Sequence, residues 1–190
     1  MSSAAGGPSG ELAQLWAGWR GSYIDDLTAT EQHHDPRFGA ADRHCPFCRI
    51  LGGGLPDDDT LIVWRGTTVF CVLNAYPYTA GHVLVLPYAH AGRLDQLDPA
   101  TSAELWWAAN QATAAVERAY ACEGVNIGAN LGRAAGAGIP GHVHFHVLPR
   151  WFGDTNFMTT ITATRVIPEA LAVTYTKLRA AWPTDGDGLS

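Results

Sequence analysis

The tightest constraint on this chain is one short stretch, His142-Val143-His144-Phe145-His146-Val147. In an extended strand alternate side chains share a face. The three histidines would then line one side of a sheet, and Val143, Phe145 and Val147 would pack on the other. Imidazoles make poor core material, because each ring nitrogen needs a hydrogen-bond partner or water. The residues alone admit an ordinary surface strand, a catalytic metal held by three imidazoles, or a histidine row facing a phosphate. The preceding loop favours the last reading, with four glycines between Gly132 and Gly141. Glycine lets backbone approach a ligand closely, and successive N–H groups can form an anion nest. A neutral imidazole beside such a nest can attack phosphorus and split one displacement into two easier steps.

The rest of the chain supplies a frame for that strand. Thr60–Arg65 and Thr68–Asn74 flank a turn at Gly66-Thr67, which predicts a hairpin. His82–Pro87 alternates, with His82, Leu84 and Leu86 on one face and Val83 and Val85 on the other. The period then changes. Asp98 can cap a helix, Pro99 suits its first position, and Leu105, Ala109, Ala112, Val116 and Tyr120 recur at helical spacing. Strands over Gly124–Leu131 and His142–Trp151 follow, and then a helix from Pro168 that buries Leu171, Tyr175 and Leu178. This order predicts an α+β domain with a largely antiparallel sheet, one long helix and a C-terminal helix. Residues 1–44 read as an arm with a short helix over Glu11–Arg20, residues 45–182 as the domain, and residues 183–190 as a flexible tail.

The motif HVHFHVL resembles the signature of the histidine-triad (HIT) superfamily, in which histidines alternate with apolar residues. Further segments resemble the bacterial branch that includes diadenosine-tetraphosphate phosphorylases: LWAGWR followed by Tyr23, then Cys-Pro-Phe-Cys, VLNAYPYTAGHVLVLPYAH, NIGANLG and PRWFGDTNF. They span roughly residues 12 to 170 in the same order. The resemblance implies a homodimer in which two sheets join. It makes His144 the nucleophile that becomes nucleotidylated and gives His146 a role in steadying phosphate charge. It places Asn74 at the ribose and Asn130 at the phosphates, and it puts Trp151 beside the nucleoside. Gly136 and Gly138 belong to the phosphate loop. One departure stands out. Where hydrolase branches carry Gly-Gln-Ser or Gly-Gln-Thr and phosphorylases often place a serine, this chain has Gly138-Ile139-Pro140-Gly141, without amide or hydroxyl.

Cys45-Pro46-Phe47-Cys48 by itself admits a glutaredoxin-like redox pair, which needs a strand before the first cysteine and a helix after it. The polar stretch upstream and the glycine run at 52–54 argue against that. A zinc site needs two more ligands, and the resemblance supplies them as His90 and His142, completing a closed structural set. His44 is a competitor for a ligand position, while His33 and His34 belong to the arm. Cys71 and Cys122 read as buried small hydrophobes, and His82 as a satisfied structural histidine.

The formal charge of −6 offers no broad basic surface, so extended nucleic acid is excluded as a partner. No apolar run approaches the roughly 20 residues that span a bilayer, and no secretory leader is evident. The unpaired cysteine pattern suits a reducing compartment, so the expected location is the cytoplasm. The expected activity is hydrolysis or nucleotidyl transfer at the α-phosphate of nucleoside polyphosphates such as diadenosine tetraphosphate. Its rivals are a nucleotide-binding regulatory protein with little catalysis and a specialised biosynthetic enzyme.

Overall fold

The computed structural model describes residues 44–154 and 169–183. The readings for the N-terminal arm, including the helix over Glu11–Arg20, and for the tail beyond Pro183 lie outside the described residues. Helix α1 (Pro46–Gly52) and the single turn α2 (Asp57–Thr60) lead into strand β1 (Ile62–Arg65). Strands β2 (Val69–Leu73) and β3 (Val83–Pro87) follow, then the long helix α3 (Pro99–Tyr120), β4 (Gly124–Ala129), β5 (Phe145–Arg150) and helix α4 (Leu171–Ala181).

The five strands form one sheet in the order β1-β2-β3-β5-β4, and every neighbouring pair is antiparallel. Period-2 alternation divides the sheet between two cores. Val69, Cys71, Leu73, Val83, Val85, Phe145 and Val147 face α3, where Leu105, Ala108, Ala109, Ala112 and Val116 meet them together with Leu178 of α4. Phe70, Val72, Leu84 and Leu86 face the other way, onto Cys45, Phe47, Cys48 and Leu51 of the α1 region.

Helix α3 starts where local chemistry says it should. The Asp98 side chain accepts from the Thr101 N–H, and Pro99 occupies the first turn. The α-turn ends at Ala121, in the left-handed region with φ 44°. The Gly66 turn closes through its N–H donating to Val69 O at 2.8 Å. Glu104 of α3 grips the same turn by accepting from the Thr67 and Thr68 N–H groups.

The elements differ from expectation mainly at their ends. Thr60 closes α2 instead of opening β1. Strand β4 stops at Ala129, the last residue paired to β5. Strand β5 begins only at Phe145, because His142 and Val143 are tied elsewhere: the Val143 N–H donates to Ala91 O at 2.6 Å, and the His142 carbonyl is taken by a side chain. Helix α4 starts at Leu171, with Leu178 fully buried and Leu171 and Tyr175 half-buried against the core. No helix among the described residues is long and apolar enough to cross a membrane.

Candidate active site and metal centre

The face of the sheet away from α3 carries the histidines. His146 pairs across strands with Leu84, and His82 precedes β3 on the same side. His144 stands just before β5, largely buried, with its Nδ1–H donating to the His142 carbonyl at 2.8 Å. That bond assigns the tautomer. With the proton on Nδ1, the Nε2 lone pair is left free to act as a nucleophile. Burial pushes the His144 pKa below its ordinary value, favouring the neutral ring.

A second chain of bonds assigns His146. The Tyr78 backbone N–H donates to His82 Nδ1 at 3.1 Å, so that nitrogen must be the acceptor. Tyr76 N–H donates to Asn74 Oδ1 at 3.0 Å, which turns the Asn74 amide nitrogen toward the same His82 Nδ1 at 3.2 Å. His82 therefore carries its proton on Nε2 and donates to His146 Nδ1 at 2.9 Å. His146 in turn carries its proton on Nε2, as a hydrogen-bond donor. His82, read from sequence as a structural histidine, is thus the residue that orients His146. Its place on the Leu84 face was the available signal; the backbone N–H that sets its tautomer comes from a turn no local pattern predicts.

His144 and His146 open onto a cleft of about 800 Å³, counting space that merges with solvent. Asn74, Tyr76 and Tyr78 line one side, Asn130, Gly136, Gly138 and Ile139 another, and Pro46, Phe47 and Ile50 of α1 a third. The structure therefore brings Asn74, Asn130, Gly136, Gly138, His144 and His146 together. Trp151 is placed elsewhere, edge-on to Tyr120 with ring centroids 6.2 Å apart. Phe47 and Ile50 carry no local signal of this role, because which side chains of α1 reach the cleft is set by how the helix docks on the sheet. Gly136 has φ 86°, a conformation side chains resist, and the Asn130 amide donates to its carbonyl at 3.5 Å. Ile139 packs beside the α1 core and presents an apolar side chain to the cleft.

Behind this cleft, Cys45, Cys48, His90 and His142 place one ligand atom each within 4.8 Å of one another. His142 Nδ1 lies 3.4 Å from Cys45 Sγ and 3.6 Å from Cys48 Sγ, and His90 Nδ1 lies 3.3 Å from Cys48 Sγ. Zinc–sulfur bonds of about 2.3 Å and zinc–nitrogen bonds of about 2.0–2.1 Å at tetrahedral angles leave S···N edges of about 3.5 Å. The four residues fit such an ion. His142 Nε2–H donates to Pro87 O at 2.9 Å, which leaves Nδ1 unprotonated toward the sulfurs. Hydrogen bonding to Cys48 lowers the Cys45 thiol to about 4 against the opposing effect of burial, with His142 assisting. His44 is exposed and is not part of this cluster.

The HIT domain family model matches residues 56–153. The chain belongs to the HIT family. Over 176 residues it is 37% identical to AP-4-A phosphorylase of Mycobacterium tuberculosis, covering 93% of this chain and 87% of that protein. A zinc-bound HIT family protein from Mycobacterium smegmatis superposes with a TM-score of 0.59 at 30% identity, covering 72% of this chain and 91% of that one. A hypothetical histidine triad nucleotide-binding protein from Sulfolobus tokodaii gives a TM-score of 0.60 at 27% identity, with the same coverage of 72% and 91%. The α+β HIT fold expected from sequence is the fold observed.

Proposed function

We propose that this HIT protein is an enzyme that cleaves nucleoside polyphosphates such as diadenosine tetraphosphate at the α-phosphorus, through a nucleotidyl-His144 intermediate. The carrying observation is the His144 Nδ1–H bond to the His142 carbonyl at 2.8 Å, which commits the Nε2 lone pair to attack. The kinship with a protein named AP-4-A phosphorylase supports the substrate class.

In the first step the Nε2 lone pair forms an N–P bond, and the P–O bond to the remaining polyphosphate breaks with its electron pair leaving on oxygen. His146 Nε2–H donates to a phosphoryl oxygen and offsets the charge that grows there. Asn74 holds the ribose, and the Gly132–Gly141 loop with Asn130 receives the phosphates. In the second step an acceptor oxygen bonds to phosphorus, the N–P bond breaks, and the electron pair returns to Nε2. We assign zinc to Cys45, Cys48, His90 and His142. Held by that closed set, it would supply folding energy and leave no open position for substrate.

We also assign a homodimer built on the β4 edge. Trp106 packs on Phe145 at 4.8 Å, Ala129 pairs with Phe145, and Ile127 shares the Ala129 face, so exposed apolar side chains gather beside the strand that ends the sheet, whose outer edge has no strand partner among the described residues.

Two acceptors are distinguished by experiment. Kinship with a phosphorylase favours inorganic phosphate, which backbone N–H groups of the loop would hold. The aliphatic Ile139 favours water or another acceptor. Diadenosine tetraphosphate turned over under rising phosphate should yield ADP and ATP in proportion to phosphate. AMP and ATP at a rate indifferent to phosphate would replace phosphorolysis with hydrolysis. His144→Ala should lower turnover on the order of 10³-fold while binding persists, and intact mass after acid-free quenching should show the adduct only with His144 present. Near-normal turnover without His144 would sink the assignment.

A further inference from the structure

We infer that the metal centre is a positioning element of the nucleotide cleft, so that metal occupancy sets nucleotide affinity and turnover as well as stability. The inference rests on the nucleotide reading above. The link runs through His142 and helix α1.

His142 is held at three points. Its Nδ1 faces the two sulfurs, its Nε2–H donates to Pro87 O at 2.9 Å, and its main-chain carbonyl accepts the His144 Nδ1–H at 2.8 Å. The residue that offers a lone pair to the ion therefore also presents the oxygen that fixes the nucleophile. A change in how the ring is held shifts a carbonyl on the same residue. An imidazole released from that carbonyl can rotate or exchange tautomers, and its Nε2 lone pair is no longer aimed.

Helix α1 makes the second connection. It is short, it begins directly after Cys45, and that N-cap has no side-chain hydrogen bond. Seven residues are too few for a helix to hold itself in water, so α1 depends on what it is anchored to. Its anchors are the two ligand cysteines and the packing of Phe47 and Leu51 on the sheet. The side chains that α1 turns toward the cleft are Pro46, Phe47 and Ile50. Phe47 sits between the two systems, with ring centroids 5.4 Å from His142 and 5.2 Å from His144. One wall of the nucleoside cleft is thus the ligand-bearing turn itself. Without a cation only weak S–H···N contacts tie the two cysteines to the two rings, so α1 and His142 lose their common anchor.

The coupling predicts a loss that a distant staple would not produce. AMP affinity is measured by calorimetry on the full-length protein in zinc-loaded, chelator-depleted and zinc-reloaded states, with metal content and circular dichroism recorded for each. Depleted protein that keeps its helical signal should bind AMP on the order of ten-fold more weakly and turn over on the order of ten-fold or more slower, as for other supports of a metal shell. Reloading should restore both. Unchanged AMP affinity in folded, depleted protein would overturn the coupling.

Should depletion unfold the chain, cobalt(II)-loaded protein decides. AMP at saturation should shift the cobalt absorption bands, since His142 and α1 respond to the occupied cleft; identical spectra with and without AMP would overturn it equally. Zinc-loaded protein that fails to bind AMP at all would instead sink the nucleotide reading.

Discussion

His82 has the tautomer it has because a backbone N–H leaves it no choice. The Tyr78 N–H points at Nδ1, so the proton sits on Nε2 and is donated to His146. His146→Ala should cost kcat on the order of 10²-fold, the loss typical of a donor to developing charge. His82→Leu leaves His146 in place but frees its tautomer, so kcat should fall by less than in His146→Ala, while KM should rise because Asn74 and the Tyr78 N–H lose their shared acceptor. His82→Gln, which can still accept from Tyr78 and donate to His146, should recover part of the loss. Equal activity of the Leu and wild-type enzymes would remove His82 from the mechanism.

In the proposed mechanism His144 carries the pH dependence. Burial lowers its folded-state pKa below 6.5, so the neutral, nucleophilic ring persists as pH falls to that point. The acid limb of kcat/KM should therefore lie below about 6.5, the ordinary histidine value. A limb above it would show that another group governs the first step.

Among the elements, α3 carries the most packing. Its alanine stripe at 108, 109, 112 and 115 lets the backbone lie close to the sheet, and Leu105 fills the space between them and the strands at 0% exposure. Leu105→Ala should cost about 2–5 kcal/mol, because little around the site can collapse into the cavity. Tm should drop by about 2–4 °C for each kcal/mol, while the His144 and His146 geometry on the far face is spared and KM holds. A variant that kept the wild-type Tm would mean that α3 does not anchor this core. The two faces of β5 divide the labour in the same way. Phe145 and Val147 belong to the α3 core, whereas His146 belongs to the cleft.

Across the whole chain, the cluster of Cys45, Cys48, His90 and His142 closes contacts over 97 positions of sequence, from Cys45 to His142. Elemental analysis of protein purified without chelator should find one zinc per chain, and none would end the metal assignment. The exposed β4 edge raises the separate matter of assembly. The homodimer proposed on that edge predicts that Ile127→Lys together with Trp106→Lys shifts the sedimentation coefficient from dimer to monomer, since two charges at an apolar contact are costly to bury. An unchanged dimer would move the interface to another face.

Several features were legible without any fold. The alternation through Phe145–Val147, the Asp98-Pro99 start of α3 and its Leu105–Val116 stripe all follow from periods of 2 and 3.6, which are properties of neighbouring residues. The HIT resemblance rests on short motifs of the same local kind. It named Cys45, Cys48, His90 and His142, which cluster, and Asn74, Asn130, Gly136, Gly138, His144 and His146, which line one cleft.

The remainder depended on long-range closure. No local pattern could say that the His142 carbonyl would leave the ladder for His144, that the Tyr78 N–H would assign the protons of His82 and His146, or that Phe47 would stand against both the His142 and His144 rings. Nor could it say that Trp151 would pack on Tyr120. Each of these depends on where a directional donor, acceptor or ring lies relative to residues far away in the chain. That relation exists only once the sheet has closed and α1 has docked on it.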